Sequence, residues 1–448
     1  MHVSQQRLRL LDWRWPTWQL LERARGRQAG RYYAELLRSQ YLTPAQHAAA
    51  AQERLAALLE HASQHVPYYR ALGCGTDLGK CPVLTRQGLL RNRQALLSER
   101  PHGALMTKYT SGTTGERVEA TRDWRTQEMS DACIWRGDGW GAALAPSDRQ
   151  LHLRYDPRHL PMPATLPGSL ARFYYNRYAL SGFVINAESV REVQAALHRL
   201  RPKMLCTYPS TMVAYVRFAR ELKFKPPPLE KVVLISEQLE ERDAAEFRDY
   251  FNCTVASRYG ANELGAIADQ CEHGAMHLHG EHIYMEVLTT SGAITSCGAG
   301  TVLCTTLSNH AMPLIRYEIS DWAELGSGPC PCGRGLPLLV KLVGRAGQYV
   351  YGRDGRWIIS HAFLEPLYDK PVEGVRLIQD EPGRIRVLLQ RSRLTEADFA
   401  EVRRRYDETH EGTLDVDFVL LDELPPTPSG KRCYAQCTLP RPENIQIG

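Results

Sequence analysis

Apolar residues recur along this chain in two rhythms, and the balance between them shifts partway. From Thr43 to Arg70, TPAQHAAAAQERLAALLEHASQHVPYYR carries leucine and alanine at helical spacing, and Thr43-Pro44 supplies a helix start. Helices are also predicted over 189–201 and 240–251. Between them lie strand-length apolar runs: QLHLRY at 150–155, PKMLCTY at 202–208, KVVLIS at 231–236 and CTVASRYG at 253–260. Each ends in small or polar residues. Strands alternating with helices predict α/β layers with a largely parallel sheet. From about residue 280 the texture turns β-rich, with HIYMEVL, GTVLCTTL and MPLIRYEI separated by glycine turns. After the polar, glycine-rich VGRAGQYVYGRDGRW come GVRLIQD, RIRVLLQ and TLDVDFVLL, with a helix over 395–410. These predict a compact α+β unit. The boundary is expected at Arg345 to Gly347. It divides a large domain (1–344, with a helical extension over 1–54) from a small one (345–448).

Composition narrows the class without deciding it. A chain of 448 residues is too long for one core. Its 43% hydrophobic and 23% charged content is ordinary for a globular protein. A net charge of +5 gives no reason to expect nucleic acid. No apolar run is long enough for a signal peptide or a membrane span. The opening residues read as an amphipathic helix carrying Trp13, Trp15 and Trp18, expected to pack on the body; a membrane-surface role is the alternative. Without a secretion signal the twelve cysteines are expected to be reduced, in the cytoplasm, most as small core residues such as Cys206 and Cys304.

Two constellations carry candidate chemistry. In YTSGTTGERVEATRDW, residues 109–124, hydroxyls and glycines crowd one short loop. Glycine lets backbone N–H groups approach closely and Ser/Thr hydroxyls add donors, which suits phosphate oxygens. No Gly-Lys-Ser/Thr follows, so the loop is not a Walker A loop. The second constellation is DQCEHGAMHLHGEH at 269–282 with GPCPCGRG at 328–335. Thiolates and imidazole at such spacing suit tetrahedral Zn²⁺. The expected ligands are Cys271, His277, Cys330 and Cys332, with His273 the alternative to His277, and His279 and His282 weaker choices. Four protein ligands make a structural site, with no open position for catalysis. The mild charge and the lack of an Arg/Lys-aromatic stripe argue against a nucleic-acid zinc ribbon.

The loop is followed in order by SRYGANELG, LIRYEISDW, LVGRAGQYV and LPPTPSGKRCY. This ordered set resembles the AMP-forming acyl-adenylate ligases. LLEHASQHVPYYRAL, AMPLIRYEISDW and CPCGRGLPLLVKLVGR resemble the phenylacetate–coenzyme A ligase-like branch in particular, which also has a Cys closely followed by His and a Cys-Pro-Cys-Gly at the two metal-type segments. The resemblance runs from about residue 55 to about residue 435. It implies the acyl-adenylate synthetase fold, a large domain of layered sheets and helices with a small mobile α+β domain. It also implies activation of a carboxylic acid, aromatic or otherwise apolar, by ATP and Mg²⁺, and transfer to coenzyme A thiol or to an amine. Transfer of AMP to a cofactor, or nucleotide binding without catalysis, are the alternatives; the oligomeric state stays open.

The resemblance also assigns residues. Thr110, Ser111, Gly112, Thr113, Thr114 and Gly115 would hold the β- and γ-phosphates. Ser236, Glu237 and Gln238 would pack on adenine, and Tyr259 and Gly260 would wall the adenine and acyl groups. Asn262 would donate to a phosphate oxygen and Glu263 would bind Mg²⁺. Asp321 would take the ribose hydroxyls, Arg345 would reach ribose and phosphate, and Lys431 would stand between the attacking carboxylate and the α-phosphate. The chain departs from the family pattern at Glu116-Arg117-Val118 after the loop, at Asn262 for threonine, at Ile319-Ser320 for Thr-Gly, and at Gly347 in the hinge. Arg117 is a candidate for the loop's missing cation.

Overall fold

The computed structural model describes residues 14–109, 119–154, 176–181, 187–326, 328–343, 349–353, 357–359, 374–390, 394–410, 414–422, 424, 435–437 and 439. The chain opens with α1 (Arg14–Ala24), α2 (Ala29–Ser39), α3 (Pro44–His65), α4 (Pro67–Leu72) and α5 (Arg86–Asn92). Helix α3 starts on a capping box: the Thr43 side chain accepts from Gln46 N–H, and the Gln46 side chain accepts from Thr43 N–H. The single helix expected over 43–70 is two. Pro67 lacks an N–H and cannot continue α3, so it opens α4 from its first turn. Gly73 ends α4 at φ +66°.

An antiparallel hairpin follows, β1 (Leu105–Tyr109) and β2 (Glu119–Asp123), and then α6 (Trp124–Asp138), whose first turn is capped by the Asp123 carboxylate. The strands β3 (Gln150–Arg154), β4 (Arg177–Ser181), β5 (Met204–Thr207), β6 (Lys231–Ile235) and β7 (Thr254–Ala261) pair in parallel, as the alternation predicted. The helices α7 (Ala187–Leu200), α8 (Pro209–Glu221) and α9 (Glu241–Phe251) bury Val193, Leu197, Tyr215 and Phe247 against Leu205 and Val232. Then come β8 (Gly265–Gln270), β9 (Met276–Leu278), β10 (Ile283–Leu288), β11 (Ile294–Thr295), β12 (Gly298–Thr306), β13 (Tyr317–Gly326) and β14 (Leu338–Val343). All but the hairpin join one twelve-stranded sheet, ordered β11-β10-β12-β13-β14-β9-β8-β7-β6-β5-β3-β4. Only the end of MPLIRYEI is strand. Arg316 takes φ +50° just before β13, with its guanidinium forked onto Glu286 at 2.8 and 2.9 Å.

Two compact units result. The first takes residues up to 288, 294–319 and 323–342; the second takes 289–293, 320–322 and 343 onward. The second unit holds the hairpin β15 (Tyr349–Tyr351) with β16 (Trp357–Ile359). It also holds β17 (Gly374–Glu381), β18 (Arg384–Gln390), β19 (Asp415–Leu421) and β20 (Ala435–Cys437), sheet order β19-β18-β17-β20. Helix α10 (Glu396–His410) buries Val402 and Tyr406 with Leu377, Ile385 and Val387. This is the mixed α/β architecture the sequence implied.

The N-terminal helices pack on the first unit. Trp15 and Trp18 stack with centroids 4.8 Å apart, both edge-on to Trp135 of α6. Trp13 lies outside the described residues. Cys206 and Cys304 are core residues, as expected. Among the described residues no helix is long and apolar enough to cross a membrane.

Candidate functional site

Two adjacent parallel strands deliver the first group of candidate residues. β6 and β7 run side by side with Ile235 opposite Arg258, so Ser236–Gln238 leave the sheet beside Tyr259 and Gly260. This is the carboxyl edge of the parallel strands, where open α/β sheets form their ligand crevices. Ser236 sits at φ +66°. For a residue with a Cβ that conformation costs about 1–3 kcal/mol, and such strain gathers at functional positions.

The tight turn from β7 into β8 carries Asn262 and Glu263, and neighbours brace it on several sides. Leu264 N–H returns to Ala261 O at 3.1 Å, Ser130 Oγ accepts from Ala266 N–H at 3.0 Å, and His282 Nε2 meets Leu264 O at 2.9 Å. Glycine is required at two of its positions. A Cβ on Gly260 would lie 2.8 Å from the Gly265 carbonyl oxygen, and Gly265 itself has φ +89°. Asn262 is exposed at the tip while Glu263 is buried behind it.

Arg122 joins this turn to the hairpin that carries the hydroxyl-rich stretch. Its guanidinium donates to the Asn262 carbonyl and, at 3.3 Å, to Gln127 Oε1. Sequence reasoning passed Arg122 over. It stands among Glu119, Asp123 and Arg125 like a solvated charge, and no local pattern marks β2 as buried on both faces. Asp321 is buried on β13. Thr110 to Gly115, Arg117, Arg345, Gly347 and Lys431 lie outside the described residues.

The second constellation closes. The ligating atoms of Cys271, His277, Cys330 and Cys332 lie within 4.8 Å of one another, an arrangement that can hold a metal ion. Cys271 Sγ and Cys330 Sγ are 3.8 Å apart, and Cys332 Sγ is 3.3 Å from His277 Nε2. Tetrahedral Zn–S bonds of about 2.3 Å put neighbouring sulfurs about 3.8 Å apart. Burial lowers the His277 pKa to about 4, so its ring is the neutral form a metal needs. The competing histidines are placed elsewhere. His273 is exposed; His279 bonds Arg136 at 2.8 Å and Asp269 at 2.9 Å; His282 bonds Ser308 and Leu264. Trp140 lies edge-on to His277 at 5.7 Å, and Arg334 covers the Trp140 ring at 4.7 Å. The N-terminal extension closes the back of the site: Gly335 N–H donates to Gln40 O at 3.0 Å, and Trp140 Nε1–H to Gln40 Oε1 at 2.8 Å.

No family model matches the chain. The curated phenylacetate–coenzyme A ligase of Thermus thermophilus is 24% identical over 314 residues, 66% of this chain and 69% of the relative. Among solved structures, a 2-hydroxyisobutyryl-CoA ligase in its postadenylation state superposes with a TM-score of 0.67 at 16% identity, covering 92% of this chain and 91% of that one. The same enzyme with 2-HIB-AMP and CoA gives 0.56 at 18% identity, over 89% and 91%. An anthranilate CoA ligase bound to anthranoyl-AMP gives 0.52 at 15% identity, over 72% and 65%. The chain thus shares the acyl-adenylate synthetase fold of these ligases, and its sequence is similar to that of a phenylacetate–coenzyme A ligase.

Proposed function

We propose that the protein uses ATP to activate a carboxylic acid as its acyl-adenylate and then passes the acyl group to coenzyme A thiol or to an amine. One observation supports the reading: Arg122, on the strand that ends the stretch 109–124, is bonded to the Tyr-Gly-Ala-Asn-Glu turn, so segments 140 residues apart in the chain meet at β2. In the first half-reaction a carboxylate oxygen attacks the α-phosphorus and the bond to pyrophosphate breaks. In the second, sulfur or nitrogen attacks the acyl carbon and AMP leaves.

In this reading Thr110–Gly115 and Asn262 hold phosphate oxygens, Ser236–Gln238 and Tyr259–Gly260 enclose adenine, and Asp321 and Arg345 hold the ribose. Glu263 holds Mg²⁺, which offsets the triphosphate charge when bound. Lys431 stabilises the charge that develops at the α-phosphorus. Similarity to the phenylacetate ligase supports an aromatic or apolar acid and coenzyme A as acceptor. Cys271, His277, Cys330 and Cys332 would hold Zn²⁺ as a structural ion, and a site of reduced thiols suits the cytoplasm.

Acid-dependent exchange of labelled pyrophosphate into ATP, run across a panel of carboxylic acids, tests the first half-reaction. Lys431→Ala should lower that exchange about 10²–10³-fold. Unchanged exchange in this variant overturns the mechanism, and exchange that needs no acid points to AMP transfer to a cofactor.

A further inference from the structure

Arg122 lies inside the hydroxyl-rich stretch 109–124 but the motifs assign it no role, and it bonds β2 to the turn that carries Asn262 and Glu263. It sits on β2 opposite Met106, with the residue 3% exposed. Beyond its bonds to Asn262 O and Gln127, its buried Nε has no partner among the described residues. The charged groups near it are Lys108, Asp131 and Glu263. The hairpin register sets Lys108 diagonally across the same face, and Asp131 is shared with Lys108, Arg177 and the Gln127 amide at 2.9 Å.

This is an expensive place for a guanidinium. Burial lowers its pKa to about 10, more than Asp131 and Glu263 restore. An apolar side chain of similar volume would fill the space without that penalty. What only arginine provides here is a planar fork that reaches the Asn262 carbonyl and Gln127 together.

We propose that Arg122 is a positioning residue for Glu263. It pins the Asn262 carbonyl, and with it the turn, to the strand that leaves the hydroxyl-rich loop. The carboxylate that Glu263 would offer to Mg²⁺ is then held in one place relative to β2. The proposal rests on reading the turn as the metal and triphosphate site.

Arg122→Lys keeps the charge and removes the fork; Arg122→Met removes both. Each is made in the full chain, and thermal unfolding checks that it is folded. Pyrophosphate exchange is measured against free Mg²⁺ at saturating ATP and acid. Groups that hold a metal ligand in place typically change metal affinity 10–100-fold, so half-saturating Mg²⁺ should rise about tenfold in Arg122→Lys. KM for the acid should stay within about twofold, because Arg122 bonds the turn at Asn262, beside Glu263, and neither residue is assigned to the acid. In a Glu263→Gln background the Mg²⁺ shift should vanish, since the carboxylate being positioned is gone.

A folded Arg122→Lys with unchanged Mg²⁺ dependence overturns the proposal, as does a shift that persists in full without Glu263. A merely structural role would lower stability and leave the Mg²⁺ midpoint where it was. Mn²⁺ binding to the ATP-loaded protein, followed by electron paramagnetic resonance, separates this inference from the reaction itself. If the parent protein exchanges no pyrophosphate but Arg122→Lys weakens Mn²⁺ binding, the positioning role stands and the assigned reaction falls. If the ATP-loaded parent binds no Mn²⁺, both fall.

Discussion

Removing the charge of Glu281 should loosen the seam between the N-terminal helices and the sheet, by an amount the structure allows one to work out. Glu281 and Arg136 are almost fully buried and meet as a fork, at 2.7 and 3.0 Å. Ser39 Oγ–H donates to the same carboxylate at 2.6 Å, and Arg54 donates to the Glu281 carbonyl at 2.6 Å. Burial alone would raise the carboxyl pKa. The Arg136 charge and the hydrogen bonds from Arg136 and Ser39 outweigh it and hold the pKa at about 2, against 4.5 for a free carboxyl. That depression is worth about 3 kcal/mol, within the roughly 3–5 kcal/mol lost when one member of a buried pair is removed. The depressed pKa fixes the sign. The stabilisation is complete above the free value of 4.5 and is lost as pH falls through about 2. Glu281→Gln should therefore destabilise by about 3 kcal/mol at pH 7, and the deficit should shrink at low pH. Urea unfolding followed by tryptophan fluorescence reports on this region, because Trp15, Trp18 and Trp135 cluster on the same helices. With a slope near 3 kcal/mol per molar urea, the midpoint should fall by about 1 M. The double variant Arg136→Met/Glu281→Leu should recover most of the loss, since it leaves no unpaired charge. A drop under about 1 kcal/mol for Glu281→Gln, with no recovery in the double variant, would refute the reasoning.

Three further outcomes follow from local geometry. Gly260→Ala drives a Cβ onto the Gly265 carbonyl, so it should cost about 1–3 kcal/mol and cut pyrophosphate exchange, read by denaturation and by the exchange assay. Cys330→Ser should reduce bound zinc from about one ion per chain to near none by mass spectrometry, and a chelator should lower the Tm of the parent protein but not of the variant. Trp18→Ala empties a buried position against Trp135, so limited proteolysis should cut within α1 and α2 while exchange stays at the parent rate.

Much was legible along the chain because it is encoded locally. The period of apolar residues marked β5, β6 and β7 with the helices α7 and α9, though not α8, and the Thr43-Pro44 start proved to be a full capping box. The motifs could carry a family resemblance because each is a short run with its own chemistry: small residues at strand ends, a carboxylate in a tight turn, paired thiols around Pro331.

What the sequence by itself determined, then, was which segments form strands and helices and which bear phosphate-type and metal-type groups; those follow from periodicity and side-chain chemistry within a few residues. The tertiary structure alone decided how the neighbouring histidines are shared out, and it sets beside the thiols His277, the one the sequence pattern had put first. His277 and His279 stand two apart near the same strand, yet only the burial of Arg136, Asp269 and Glu281 draws His279 into a charge network and leaves His277 facing Cys332. It alone decided that Arg122 is an interior clamp and not a surface charge, because its partner Asn262 lies 140 residues away. Electrostatic pairing and close packing act through space, and their energies depend on distances that position along the chain does not reveal.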